Sequence, residues 1–225
     1  MKTFQTWLEE IESFKKNLYV LVGPPSVGKS TWIKNTFTNQ PYIINRDSIV
    51  DAVASSLGLT YDDMFIAPPQ DANLGEIHPH YGEIIPSPNI PFQPLSYSKI
   101  LQGNKIINDA LKEKLSQAVN QNNDIVVDMT NMTAKTRKTA LSAVAGHENE
   151  YNKIAVVFPF QGAEDIIKKL AAKRANEIKA QGGSKNIPDA AIDKMFAKFQ
   201  DVSPDEGFDQ IVQQDNRQLL KQLAN

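Results

Sequence analysis

Residues 18–31 read Leu18-Tyr19-Val20-Leu21-Val22-Gly23-Pro24-Pro25-Ser26-Val27-Gly28-Lys29-Ser30-Thr31. The apolar run Leu18–Val22 suits a strand buried on both faces, as parallel sheets require. Gly23–Ser30 then fits G-x-x-x-x-G-K-[ST], with a helix expected over Thr31–Phe37. Strand, glycine loop and helix in that order form a phosphate cradle. Glycines let the backbone turn its N–H groups inward, and the following helix adds the positive end of its dipole. Residues Gly23, Pro24, Pro25, Ser26, Val27, Gly28, Lys29, Ser30 and Thr31 are therefore the candidate ATP site. Lys29 is placed to reach the β- and γ-phosphates, and the Ser30 hydroxyl to take a position on Mg²⁺.

Outward from the loop, the chain alternates strands and helices. Strands are expected at Tyr42–Ile44, Ile125–Asp128, Ile154–Phe158 and Phe208–Val212. Helices are expected at Thr3–Lys16, Ser48–Leu57, Lys99–Gln121, Ala134–Ala145, Ala163–Lys179, Pro188–Phe199 and Asn216–Leu223. The pattern predicts an α/β fold, a mainly parallel sheet flanked by helices, as one domain over 1–225. Residues 60–97 break it: they hold seven of the 13 prolines, which disfavour regular helix. The segment also carries Tyr61, Phe65, Tyr81, Phe92 and Tyr97, so an ordered acceptor-side insertion is expected rather than a linker. A lid is expected at about 168–188, where a basic helix runs into Gly182-Gly183.

Composition bounds the class. The chain has 225 residues, 41% hydrophobic, with no cysteine and a formal net charge of -2. The absence of cysteine excludes a disulfide framework and thiolate metal sites. No apolar run approaches a membrane span and the N-terminus lacks a signal-peptide core, so no membrane partner and a cytoplasmic location are expected. A nucleic-acid substrate would need a local basic groove, because the chain as a whole is not a polycation. His78-Pro79-His80 reads as loop, since the chain has only three histidines and a zinc shell would need several carboxylates beside them.

Two acids stand at strand ends, on the edge of the sheet where ligands bind. Asp47, after the second strand, is a candidate base for an acceptor hydroxyl, or alternatively caps the helix beginning at Ser48. Asp128 ends the third strand and is a candidate for the metal side of the site, holding Mg²⁺ through its water shell or positioning it, or alternatively a solvated strand-end acid. Arg174 lies on the basic helix and would clamp transferring phosphate, against the alternative of a solvated basic face.

Asn45-Arg46-Asp47, Asp128-Met129-Thr130-Asn131-Met132-Thr133-Ala134-Lys135-Thr136-Arg137, Lys185–Pro188 and Glu206–Phe208 together resemble the polynucleotide kinase family of P-loop phosphotransferases. The resemblance implies ATP and Mg²⁺ as cofactors, and a nucleic-acid hydroxyl, at a 5′ end, as acceptor. It implies Asp47, Lys29 and Arg174 as catalytic residues and Ser30 and Asp128 as metal-side residues. Arg46, Asp47, Thr130, Asn131 and Arg137 would serve the acceptor; Arg137 reads equally as an exposed residue at a helix start. Glu206–Phe208 reads as a turn. The chain departs from the pattern at Val50, where the phage enzymes carry an arginine that reads acceptor phosphate, and has no second lid arginine. Rival readings are a kinase for hydroxymethyl groups of modified pyrimidines in phage DNA, a small-molecule or zeta-toxin-like kinase, and a non-catalytic ATP-binding scaffold. The oligomeric state is not specified by the sequence.

Overall fold

A computed structural model describes residues 15–65, 94–216 and 220. Five strands form one sheet: β1 (Lys16–Val22), β2 (Tyr42–Asn45), β3 (Ile125–Asp128), β4 (Tyr151–Val157) and β5 (Gln210–Gln213). They lie in the order β2-β3-β1-β4-β5 and every pairing is parallel. Among the described residues six α-helices accompany them: α1 (Lys29–Thr36), α2 (Arg46–Ser56), α3 (Pro94–Ser116), α4 (Ala134–Leu141), α5 (Glu164–Ala180) and α6 (Asp189–Ala197). The expected α/β architecture is the observed one.

Alternation along β1 shows why the sheet is covered twice. Leu18, Val20 and Val22 pack with Leu115 of α3 and Ala140 of α4, while Leu21 packs on the other face with Ile33, Ile167 and Ile192 of α1, α5 and α6. All three β1 residues on the first face are fully buried. Burial of one such side chain is worth about 1.5–3 kcal/mol, so the two facing sets dominate the fold's stability. A third cluster joins α2 to α3 through Ile49, Val50, Val53, Met64 and Ile107.

The chain crosses from β1 over β3 to β2, returns to β3, and only then moves to β4 on the far side. The carboxyl ends of β1, β2 and β3 thus meet at the point where strand order reverses, the crevice where open α/β sheets bind ligands.

Several boundaries differ from expectation. Regular helix extends into 60–97, because α3 begins at Pro94; a proline in a first turn removes an N–H that has no helical acceptor. At the other end of that segment, Asp62–Phe65 forms a 3₁₀ turn. Residues 66–93, including His78, His80, Tyr81 and Phe92, lie outside the described residues. The helix expected to reach Gln121 ends at Ser116 and gives way to a 3₁₀ turn over Ala118–Gln121, closed by Asn122 at φ 55. Likewise α4 stops at Leu141, and Gly146 follows at φ 81. Lys16 opens β1 instead of closing a helix, its Cα paired with Tyr151; the rest of the expected N-terminal helix, and most of the one at Asn216–Leu223, lie outside the described residues. No helix among the described residues is long and apolar enough to cross a membrane.

Candidate active site

The phosphate loop is held in an unusual backbone path. Gly28 has φ 105 and Ser26 has φ 59, both left-handed. At Gly23 a Cβ would stand 3.0 Å from Phe158 Cβ and 3.1 Å from Val27 Cγ1, so the loop's close approach to the residue that follows β4 favours glycine. Three strings hold the loop from behind. Gly23 N donates to Thr130 O at 2.9 Å, Asn131 Nδ2 donates to Leu21 O at 2.8 Å, and Asn216 Nδ2 donates to Val27 O at 3.1 Å. Trp32 pins α1 to the sheet through edge-on contacts with Tyr19 and Phe158.

The N-terminus of α1 has no capping side chain and no acid in its first turn. A helix start left open in this way suits an external anion. Lys29 supplies the cation: it is buried, and its ammonium donates to Gly23 O at 2.8 Å and Pro24 O at 2.6 Å. Burial pushes Lys29 down to about 8; Asp128 and Asp47 oppose that shift and Arg174 adds to it. These four charges therefore act on one centre.

That centre opens into a cleft of about 1310 Å³. Pro25, Ser26 and Gly28 line it from the loop, Lys29, Ser30 and Thr31 from the start of α1, Arg46 and Asp47 from α2, Asp128 from the end of β3 with Thr130 just beyond it, and Lys173 and Arg174 from α5. Gly23 and Pro24 take part through the carbonyls that receive Lys29, whereas Val27 is turned wholly into the core. Of the basic face of α5, Lys168 is bound at 2.5 Å to Asp193 of α6 and ties the two helices together.

Asn45, the last residue of β2, organises both strand-end acids. Its Oδ1 accepts from Ser48 N at 3.2 Å and caps α2, while its Nδ2 donates to Asp128 Oδ2 at 3.0 Å across the β2–β3 register. The cap of α2 is thus Asn45, not Asp47, and the Asp47 carboxylate turns to the cleft. There Asp47 Oδ2 accepts from Lys185 Nζ at 2.6 Å and Oδ1 accepts from the Tyr61 hydroxyl at 3.1 Å. Burial alone would raise the Asp47 carboxyl. The hydrogen bond and charge of Lys185, the Tyr61 hydroxyl and Lys29 outweigh it and hold Asp47 below the usual carboxylate range. In turn burial and Asp47 push the Tyr61 phenol far up, so it stays a donor.

Of the acceptor-side candidates, Asn131 and Arg137 do not reach the cleft. Asn131 is enclosed, at φ 47, with its amide committed to the β1 backbone. Arg137 is fully buried: Nε and Nη2 donate to Glu206 at 2.6 Å each, and the other donors go to the carbonyls of Asn131, Gln200 and Asp201. Every direction of its guanidinium is spent inside the protein, so neither contact with an acceptor nor an exposed helix-start position describes it. Glu206 sits in a short 3₁₀ turn, as the turn reading implied, and binds Arg137 from there.

A family model described as an AAA domain matches residues 18–202. The chain belongs to this AAA-domain family, a kinase-like branch of the P-loop NTPases. No curated protein matches the chain. Among solved structures it is similar to a gluconokinase from Sinorhizobium meliloti 1021, at 15% identity over 94% of this chain and 88% of that one, with a TM-score of 0.37. It is also similar to a chain from the PezAT chromosomal toxin-antitoxin system of Streptococcus pneumoniae, at 10% identity over 99% and 96% of the two chains, with a TM-score of 0.34. Superpositions this loose transfer no acceptor from either protein.

In this AAA-domain chain the sequence pattern assigns Asn45, Tyr61 and Lys185 no individual role at the site. The signal for Asn45 was available, since an Asn three residues before a helical N–H is a capping pattern. Lys185 lies 138 residues from Asp47, and nothing local links them.

Proposed function

We propose that the chain is an ATP-dependent kinase that transfers the γ-phosphoryl group to a hydroxyl, with a nucleic-acid 5′ end as acceptor. The observation that carries the reading is the placing of Asp47 and Lys29 in one cleft, beyond the carboxyl ends of β2 and β1 on either side of β3, each biasing the other's charge. The 5′ end is supported by the resemblance of Asn45–Asp47 and Asp128–Arg137 to polynucleotide kinases, and by Arg46 and Lys185 on the acceptor side of the cleft.

The loop fits a triphosphate, because its helix start is uncapped and Lys29 makes do with two carbonyls. The acceptor oxygen attacks the γ-phosphorus while the bond to the bridging β–γ oxygen breaks and ADP leaves. The acceptor's proton passes to the Asp47 carboxylate. Lys29 and Arg174 meet the negative charge on the transferring group, and the strand ends hold the partners in line. Ser30 and Asp128, both in the cleft, would hold Mg²⁺, which when bound neutralises phosphate charge.

Label transfer from γ-labelled ATP tests this. The acceptors are 5′-hydroxyl DNA and RNA, end-blocked duplex containing 5-hydroxymethyluracil, and free nucleosides. Label on 5′ ends is expected. Label confined to the modified duplex or to nucleosides replaces the acceptor but keeps the kinase. Tight ATP binding with no acceptor-dependent ADP release removes the kinase reading.

A further inference from the structure

We propose that Lys185 is the specificity-determining cation of the acceptor site, selecting acceptors that carry an anionic group beside the reacting hydroxyl. This rests on the kinase reading of the same cleft.

The case begins with what surrounds Asp47. Both of its oxygens are engaged, Oδ2 by Lys185 and Oδ1 by Tyr61. A hydroxyl that is to give its proton to Asp47 must displace one of them. The phenol is a neutral donor in the core cluster under α2, with its residue 7% exposed. Lys185 comes from a loop between α5 and α6 and is the partner that can be displaced.

That loop is seated with care. Asp62 accepts from the Ser184 hydroxyl and from Asn186 N at 2.7 Å, bracketing Lys185 from both sides. The ammonium also lies 4.8 Å from the centre of the Tyr61 ring, so one aromatic supports the cation while its hydroxyl supports the acid. The Lys185 side chain is only 15% exposed. It is a pre-placed charge at the entry to Asp47, not a wandering surface lysine.

Displacement by a neutral alcohol would separate the ammonium from its carboxylate and give it nothing in return. An acceptor bearing a phosphate or carboxylate takes the ammonium onto its own anion while its hydroxyl takes the place on Oδ2. The same contact thus obstructs neutral alcohols and admits anionic ones, selecting by an unpaired charge against the wrong partner. The helix that carries Asp47 offers no such group at its next inward position, because Val50 is fully buried in the α2–α3 core.

The experiment compares the wild-type protein with Lys185→Met and Lys185→Arg. Calorimetric binding of a nucleoside 3′-monophosphate is set against binding of the parent nucleoside, without ATP. The wild type is expected to prefer the monophosphate, Lys185→Met to lose about 10- to 100-fold of that preference, the scale of one charge-assisted contact, and Lys185→Arg to keep most of it. In turnover, the anionic-to-neutral ratio of kcat/KM should fall by a similar factor in Lys185→Met. Equal binding of the two ligands by the wild type, a preference that survives Lys185→Met, or equal losses on both ligands overturns the proposal. A failure of the kinase reading is read separately, as no label transfer to any acceptor while the binding preference is still measured. A 5′-hydroxyl oligonucleotide favoured over a sugar phosphate would assign the anion to a nucleic-acid backbone, and the reverse order to a small molecule; both depend on Lys185.

Discussion

Arg137–Glu206 and Lys185–Asp47 are ion pairs of the same length, 2.6 Å, in two regions of one molecule. In the first, the cation is fully enclosed and its other donors bind three carbonyls from two chain segments. In the second, the acid's side chain is 46% exposed and faces a cleft of about 1310 Å³. Saturation separates them. A guanidinium with every direction used inside the fold holds segments together, whereas a carboxylate at a cleft with one displaceable partner is poised for exchange. Distance alone would have ranked them as equals.

Breaking the enclosed pair should have the largest effect, and on stability. Removing one partner of a buried ion pair costs about 3–5 kcal/mol, so Arg137→Met should lower the unfolding free energy by that scale in a denaturant titration. Adding Glu206→Met should recover only part, because the three carbonyls still lack a donor. Full recovery would mean that the clamp on 200–201 contributes little. The Glu206 carboxyl is held low, chiefly by its hydrogen bonds to Arg137. Its contribution is therefore present above its ordinary value of 4.5 and is lost as pH falls through the depressed one.

At the cleft the effects should fall on turnover. Asp47→Asn is expected to keep ATP affinity and cut kcat by ~100-fold or more, the scale of a general base. Unchanged kcat would remove Asp47 from the chemistry. The acid limb of the wild-type kcat/KM profile should lie below the usual carboxylate range, and Lys185→Met should move it upward, since the lysine is the main group holding Asp47 ionised. A limb that does not move would show that Lys185 and Asp47 are not paired in solution.

Lys29 adds a basic limb. Because burial brings it to about 8, the free protein should lose ATP affinity as pH rises through that value. Lys29→Arg, charged throughout, should abolish the dependence. The same depression means that the unfolded chain binds more protons than the native one between about 8 and 10.5, so this group makes stability rise with pH across that window. The smallest effect belongs to Tyr61→Phe, a loss of roughly 2- to 10-fold in kcat/KM for one neutral donor on Asp47.

The donor side of the site was legible in residues 18–31 because its chemistry is local. Strand, glycine loop, lysine and helix start are consecutive, and their mutual geometry follows from backbone preferences over a few residues. Strand-end acids were legible for a related reason, since parallel topology brings carboxyl ends of strands to one edge whatever lies between them. Lys185 and Arg137 were not. Both were visible as basic residues in segments of interest; the family resemblance implied a substrate contact for Arg137 and gave Lys185 no role of its own. Their parts depend on which carboxylate each meets after 138 and 69 residues of intervening chain, and on whether water reaches the pair. The sequence by itself determined the class of fold and the phosphate end of the chemistry, because short-range spacing encodes both. Only the tertiary structure decided which cation guards the acceptor and which one locks the core, because burial and long-range pairing arise when the sheet, α5 and the turn at Glu206 close around them.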